Sequence, residues 1–220
     1  MYKLDLHTHS VASNDGSIRP EQYQAILESG ALDYVAITDH NRIDMAVQLQ
    51  AELGDKIIIG EEISTTEGDI IGLYLKEPIE PHLTPIEAIE AIKRQGGLVY
   101  IPHPFETVRK GMSEKTLDQL ATQIDIIEVH NGRAFAQNRS QKAIVWAAVH
   151  HTIRAASSDA HGAQGLTKTY TIVAEPPTRQ NLLDLLSRGQ AIVGRPPLKT
   201  LLYPKLNRAR GHVRKYRGRA

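Results

Sequence analysis

Seven short apolar runs, six of which lead into a residue able to bind a metal ion, constrain this chain more than any other feature of its sequence. They are YKLDLH (2–7), DYVAITDH (33–40), KIIIGEE (56–62), IIGLYL (70–75), GLVYIPH (97–103), DIIEVH (125–130) and TIRAASSD (152–159). Rich in Val and Ile, and too short for much else, they read as buried strands. Between them, residues 20–30, 43–53, 84–96, 114–123 and 137–151 carry helical periodicity, and a last helix over 179–188 precedes a short strand near 191–193. Pro20 suits a first helical turn; Thr84, followed by Pro85 and Glu87, fits a capping box; Gly30 and Gly96 fit C-terminal caps. Alternation of this kind along a whole chain implies an α/β fold, a mostly parallel sheet with helices outside it. Seven such units can close into a barrel, and 220 residues is slightly short for an eight-fold one, so a smaller or distorted TIM-like barrel is expected.

The ends of those runs carry the chemistry. Five finish in His7, His40, Glu62, His103 and His130, and a sixth runs into Asp159 and His161. In a parallel barrel the C-terminal strand ends meet on one face, so ligands far apart in sequence converge there. His7 and His9 in HTHS, and Asp159 and His161 in SDAH, are spaced i, i+2, which in extended backbone points both side chains the same way. The chain contains no cysteine, so a metal must be held by imidazole and carboxylate, a ligand set suited to Zn, Mn or Fe. Asp15 in SNDGS would by default be a turn residue, since Asp-Gly favours turns. Glu61 and Glu62 are adjacent, so only one can face a pocket. His82, His150, His151 and His212 fall in a loop, a helix and the tail, and read as structural or surface residues.

The motifs HTHS, TDHN, GEEIS, IPHP, EVHNGR and SDAH, in this order over residues 7–161, resemble the PHP (polymerase and histidinol phosphatase) superfamily in its compact stand-alone form, and the likeness extends to about residue 195. The resemblance implies a distorted (β/α)7 barrel with two or three divalent ions at the C-terminal strand ends. It places His7, His9, Glu62 and Asp159 around one ion, with Glu62 bridging to a second held by His103 and His130, and Asp15, His40 and His161 on a third. Asp15 stands where some relatives have His. Glu62 is preferred over Glu61 on this ground.

Clustered divalent cations lower the pKa of bound water and stabilise charge in an in-line displacement at phosphorus. The expected activity is therefore that of a metal-dependent phosphoesterase acting on a phosphomonoester or nucleotide, with a hydroxide bridging two ions as nucleophile and Glu62, Asp159 and His161 as the catalytic set. Substrate phosphate needs further donors, for which Arg133, Arg109 and Lys168 are the candidates in that order. Two other readings carry weight. One is a nuclease acting on oligonucleotide ends; the other is a non-catalytic, metal-stabilised binding domain.

Charge is unevenly spread. Of 26 Lys and Arg residues nine lie from Arg195 onward, where no Asp or Glu occurs, so the preceding residues hold 17 against 25 carboxylates. A PHP-type domain over 1–197 with a basic tail over 198–220 is the expected division. The tail reads as a solvated segment or as a patch attracting nucleic acid. No apolar run approaches the roughly 20 residues of a membrane span. The first residues, MYKLDLHTHS, lack a signal-peptide pattern, so a cytoplasmic protein without membrane partners is expected.

Overall fold

The chain builds β1 (Tyr2–Asp5), α1 (Pro20–Glu28), β2 (Tyr34–Ile37), α2 (Asp44–Leu53), β3 (Ile57–Thr65), β4 (Gly68–Leu73), α3 (Pro85–Arg94), β5 (Leu98–Ile101), α4 (Glu114–Leu120), β6 (Ile126–Asn131), α5 (Ser140–His150), β7 (Ile153–Ser157), β8 (Thr169–Val173), α6 (Leu182–Ser187) and β9 (Gln190–Val193). These come from a computed structural model, which describes residues 1–134 and 138–209. The helix expected over 137–151 runs over Ser140–His150, residues 138 and 139 being non-helical and residue 137 lying outside the described residues, as does the basic tail beyond residue 209.

All nine strands join one sheet in the order β7-β6-β5-β4-β3-β2-β1-β8-β9. β1–β2, β2–β3, β5–β6 and β6–β7 pair in parallel, whereas β4 runs antiparallel to both β3 and β5. The sheet is thus more mixed than strand–helix alternation implies. β3 and β4 are joined by a tight turn, with Thr65 opposite Gly68, so no crossover helix lies between them and β4 must reverse direction. β8 was not anticipated. It pairs antiparallel with β1, and its alternating burial leaves one face half-open.

The ring closes where the ligands lie. Beyond β1 and β7 the chains continue side by side, His9 N donating to Ala160 O at 2.9 Å and Asp159 N to His7 O at 2.9 Å. Lower down, the Thr171 hydroxyl of β8 takes Ala156 N–H at 3.0 Å and returns a bond to Ala156 O at 3.1 Å, filling the gap beside β7. Seven strands, β1 to β7, thereby form a nearly closed, distorted barrel.

Its walls are apolar. Leu4, Ala36, Ile58, Ile71, Tyr100, Ile126 and Ala155 pack together, while helices α3, α4 and α5 cover an outer cluster that includes Ile89, Ile92, Leu117 and Trp146. α3 starts as its sequence predicts, the Thr84 side chain and Glu87 capping each other's backbone N–H. Gly30 and Gly96 sit at φ +66° and +77°, the left-handed caps expected of glycine.

Candidate metal centre

Seven of the ligand-bearing residues lie on or just after an apolar strand, and Asp15 comes from the loop between β1 and α1. His7 and His9 follow β1, His40 follows β2, Glu62 lies in β3, His103 follows β5, and Asp159 and His161 follow β7. All but His40 are buried. Asn41, His103 and Asp159 hold φ of 55°, 30° and 51°, conformations costing about 1–3 kcal/mol each for non-glycine residues and tolerated where surrounding structure fixes them. Asp39, beside His40, fixes the HTHS loop by accepting from Ser10 N at 2.7 Å and Ser10 Oγ at 2.5 Å.

Four ligand atoms meet at the centre. His7 Nε2 lies 3.1 Å from His9 Nε2, 3.4 Å from Glu62 Oε2 and 3.6 Å from Asp159 Oδ1; His9 Nε2 lies 3.2 Å from Glu62 Oε2 and 3.4 Å from Asp159 Oδ1. A tetrahedral site with arms of about 2.0–2.1 Å has edges of about 3.3–3.4 Å. The five spacings bracket that edge, so His7 and His9 stand at ligand spacing from each other and from each carboxylate. The other Glu62 oxygen, Oε1, lies 3.0 Å from His103 Nε2, so this one carboxylate faces two ligand groups. A third group forms on Asp15 Oδ2, 3.5 Å from His40 Nε2 and 3.4 Å from His161 Nε2, with His9 adjoining. His9 Nδ1 and His103 Nδ1 are buried without a hydrogen-bond partner among the described residues, while Nε2 of each ring faces Glu62. The residues present fit divalent metal.

Electrostatics agree. Burial works against ionising Glu62 and Asp159, yet His40, His7 and His103 around the first, and Arg133, His7 and His9 around the second, hold both well below the ordinary carboxylate range. Burial works equally against charging His7 and His9, but Asp159 and Glu62 pull His7 well above its usual value and His9 up to about 9. The interior is a cation well. His161 behaves oppositely: burial, then His9 and Arg133, push it down to about 3, which favours a neutral imidazole near pH 7.

Eight of the nine expected ligands thus come together: His7, His9, Asp15, His40, Glu62, His103, Asp159 and His161. His130 does not join any of these groups among the described residues. Regular alternation would put it on the same side as Glu128, but β6 bulges there, Glu128 pairing with Ala155 and His130 with Ala156, so Val129 is the extra residue. One added residue turns His130 away from the side that Glu128 faces. Glu128 is what the sequence reading missed. It accepts from His7 Nδ1 at 3.2 Å, Tyr100 Oη at 2.9 Å, His103 N at 2.6 Å and Asn131 Nδ2 at 2.7 Å, and so orients two ligands at once.

The anion-binding candidates divide. Arg109 donates to Glu106 at 2.5 and 2.8 Å, Asn131 at 2.7 Å and Asp159 at 2.5 Å; Arg133 reaches Asp159 at 3.3 Å and His161 Nδ1 at 3.2 Å. Both line a cavity of about 330 Å³ over the ligands. Lys168 is exposed and does not line it, because the 3-10 turn Ala163–Gly165 carries the chain away before β8. His82, read as a loop residue, does line it, as do Asp69 and Lys110.

A barrel whose strand ends gather imidazoles and carboxylates at ligand spacing defines a metal-binding α/β barrel protein. The chain belongs to the PHP domain family, whose model matches residues 5–192. It is 39% identical over 142 residues to the uncharacterized protein MJ1587 of Methanocaldococcus jannaschii, an alignment covering 59% of this chain and 81% of that one. Its fold is similar to a two-domain protein from Bacteroides vulgatus containing a predicted PHP-like metal-dependent phosphoesterase, at a TM-score of 0.70 and 22% identity over 94% of this chain and 69% of that one. It is also similar in fold to endonuclease Q in complex with a 27-mer duplex carrying an abasic lesion, at a TM-score of 0.61 and 16% identity over 87% of this chain and 58% of the other. No helix among the described residues is long and apolar enough to cross a membrane.

Proposed function

We propose that the chain is a metal-dependent phosphoesterase that releases phosphate from a small phosphomonoester or nucleotide. The observation that carries this reading is Glu62, whose two oxygens face separate ligand groups, with Asp15, His40 and His161 forming a third beside them. His7, His9, Glu62 and Asp159 would hold one divalent ion, Glu62 and His103 a second, and Asp15, His40 and His161 a third; Zn, Mn and Fe all suit these donors. Such ions supply a nucleophilic water near neutral pH and neutralise phosphoryl oxygens.

The chain's own residues do the rest. Glu128 sets the His7 ring by taking its Nδ1 proton side, leaving Nε2 toward the cluster. Arg133 and Arg109 place guanidinium groups at the cavity wall, where planar forks suit phosphoryl oxygens. His161, held neutral, would serve as a ligand. A cavity of about 330 Å³ lies near the small end of ligand pockets, which favours a compact phosphate ester.

A nuclease acting on oligonucleotide ends is the second reading, favoured by the likeness in fold to endonuclease Q. One experiment separates them: metal content by elemental analysis, with a panel of phosphomonoesters, nucleotides and short oligonucleotides. Release of inorganic phosphate from small esters supports the first reading; release of nucleotides from oligomers supports the second. Bound metal without turnover on any of them overturns both and leaves a binding domain.

A further inference from the structure

The C-terminal segment is not simply an appendage to the barrel. Beyond the family match at residue 192, a 3-10 turn, Leu198–Leu202, and a helical stretch over 203–209 return to the barrel mouth. Thr200 and Pro204 are buried. Tyr203 lies on Gly162, where a Cβ would come within 2.5 Å of its ring, and its hydroxyl donates to Gln164 Oε1 at 3.1 Å. Asn207 Nδ2 donates to Asp15 O at 2.8 Å and to His161 O at 3.3 Å, the backbones of two candidate ligands. This brings Arg208 to the cavity, its guanidinium 3.3 Å from Asp15 Oδ2.

Arg208 differs from the other two arginines there. The Arg109 and Arg133 side chains are 13% and 15% exposed and are engaged by Glu106, Asn131 and Asp159, whereas that of Arg208 is 51% exposed with Asp15 as its one carboxylate partner among the described residues. We propose that Arg208 is a substrate-binding residue, taking an anionic oxygen of the phosphate ester at the cavity mouth, and that residues 198–209 form part of the site. This rests on the phosphoesterase reading above. A guanidinium has five donors in a fixed fork, enough to keep a carboxylate on one edge and donate to a phosphoryl oxygen from the other. Once a cation shares the charge on Asp15 Oδ2, the pull of that carboxylate on Arg208 weakens, which leaves its donors to the substrate.

The test uses full-length, metal-loaded protein with inorganic phosphate as the probe, measured by calorimetry, alongside KM and kcat on the best phosphomonoester and metal content by elemental analysis. Arg208→Ala should weaken phosphate binding and raise KM by about tenfold with metal content unchanged. Arg208→Lys should recover part of that loss. Tyr203→Ala, which releases the segment without touching a ligand, should raise KM in the same direction. Unchanged KM and phosphate affinity in Arg208→Ala, while the wild-type protein binds and hydrolyses, overturns the Arg208 assignment alone. Loss of metal from Arg208→Ala overturns it too, by showing that the side chain acts through Asp15. A wild-type protein that binds no phosphate overturns the phosphoesterase reading and this assignment with it.

Discussion

Replacing Glu128 by Gln asks whether a residue outside the ligand groups governs them. The carboxylate accepts four bonds, from His7 Nδ1 and Tyr100 Oη on one oxygen and from His103 N and Asn131 Nδ2 on the other. An ionised carboxylate offers about four lone-pair sites, so this one is filled. Its environment is set for the charged form: burial opposes ionisation, but His7 and His103 bring its pKa below the usual value. Gln has nearly the same shape but converts one acceptor into a donor, and whichever way the amide is turned, two donors then face an NH2 group. A hydrogen bond to a charged group contributes about 1.5–3 kcal/mol, so two conflicts cost about 3–6 kcal/mol before relaxation. The Tyr100 hydroxyl can turn to Ser157 Oγ at 2.9 Å, which favours the lower end. Lost orientation of the His7 and His103 rings should weaken metal affinity about 10–100-fold, the usual effect of removing a partner behind a ligand. Chelator competition reads the affinity, and urea unfolding of metal-free protein reads the stability. Wild-type metal affinity in Glu128→Gln, in protein that folds, refutes the assignment of Glu128 as the orienting group.

Three further outcomes follow from the same geometry. His103→Ala should lose metal, by elemental analysis, while His130→Ala keeps the wild-type content; equal losses would mean that the β6 bulge does not turn His130 away. Glu61 is fully buried, one oxygen accepting from Ile79 N at 2.8 Å and the other unpaired among the described residues, and burial raises its pKa to about 7. Because the folded value lies above the unfolded one, its contribution to stability is present below pH 4.5 and is lost as pH rises to about 7; Glu61→Gln should therefore gain up to about 3 kcal/mol on wild type between pH 4.5 and 8, read by urea unfolding, and a pH-independent difference would refute it. Chelation should lower Tm by about 8–16 °C, since an ion at a thousand times its Kd adds about 4 kcal/mol and each kcal/mol moves a domain of this size about 2–4 °C; an unchanged Tm in scanning calorimetry would mean that no ion holds the cluster.

Most of the site was legible because its residues sit where strands end. An apolar run fixes where a strand must stop, and the polar group after it is carried to the barrel mouth; this is why His7, His40 and His103 could be named from spacing, whereas Glu62, inside β3, was separated from Glu61 by the motif alone. The α3 cap was legible for a similarly local reason, since Thr84 and Glu87 meet across one helical turn. What failed depends on contacts beyond one segment. Strand direction leaves no trace in hydrophobic period, so β4 read like its parallel neighbours. β8, TYTIV, alternates between buried and half-buried positions and borders β1 only after the chain has returned from α5 and β7. The β6 bulge inserts one residue, and one residue decides whether Glu128 or His130 faces the ligands. Nothing in the composition of 198–209 says that it docks on Gly162; only its basic character was readable.

The interior charges explain why the arginines and the ligands must be considered together. Asp15, Glu62, Glu128 and Asp159 are buried carboxylates, and each needs a positive partner, because an unpaired buried charge is costly. Among the described residues those partners are His7, His9 and His40, drawn toward the protonated state, with Arg109 and Arg133 on Asp159 and Arg208 on Asp15. Divalent ions binding there compete with protons for the imidazoles and with guanidinium groups for the carboxylates. The guanidiniums cannot lose their charge, so when an ion takes over a carboxylate they become cations in need of an anion at the wall of the same cavity. A phosphate ester is such an anion. On the phosphoesterase reading proposed above, metal loading and substrate capture would be two stages of one charge balance, set by which acceptor each arginine faces.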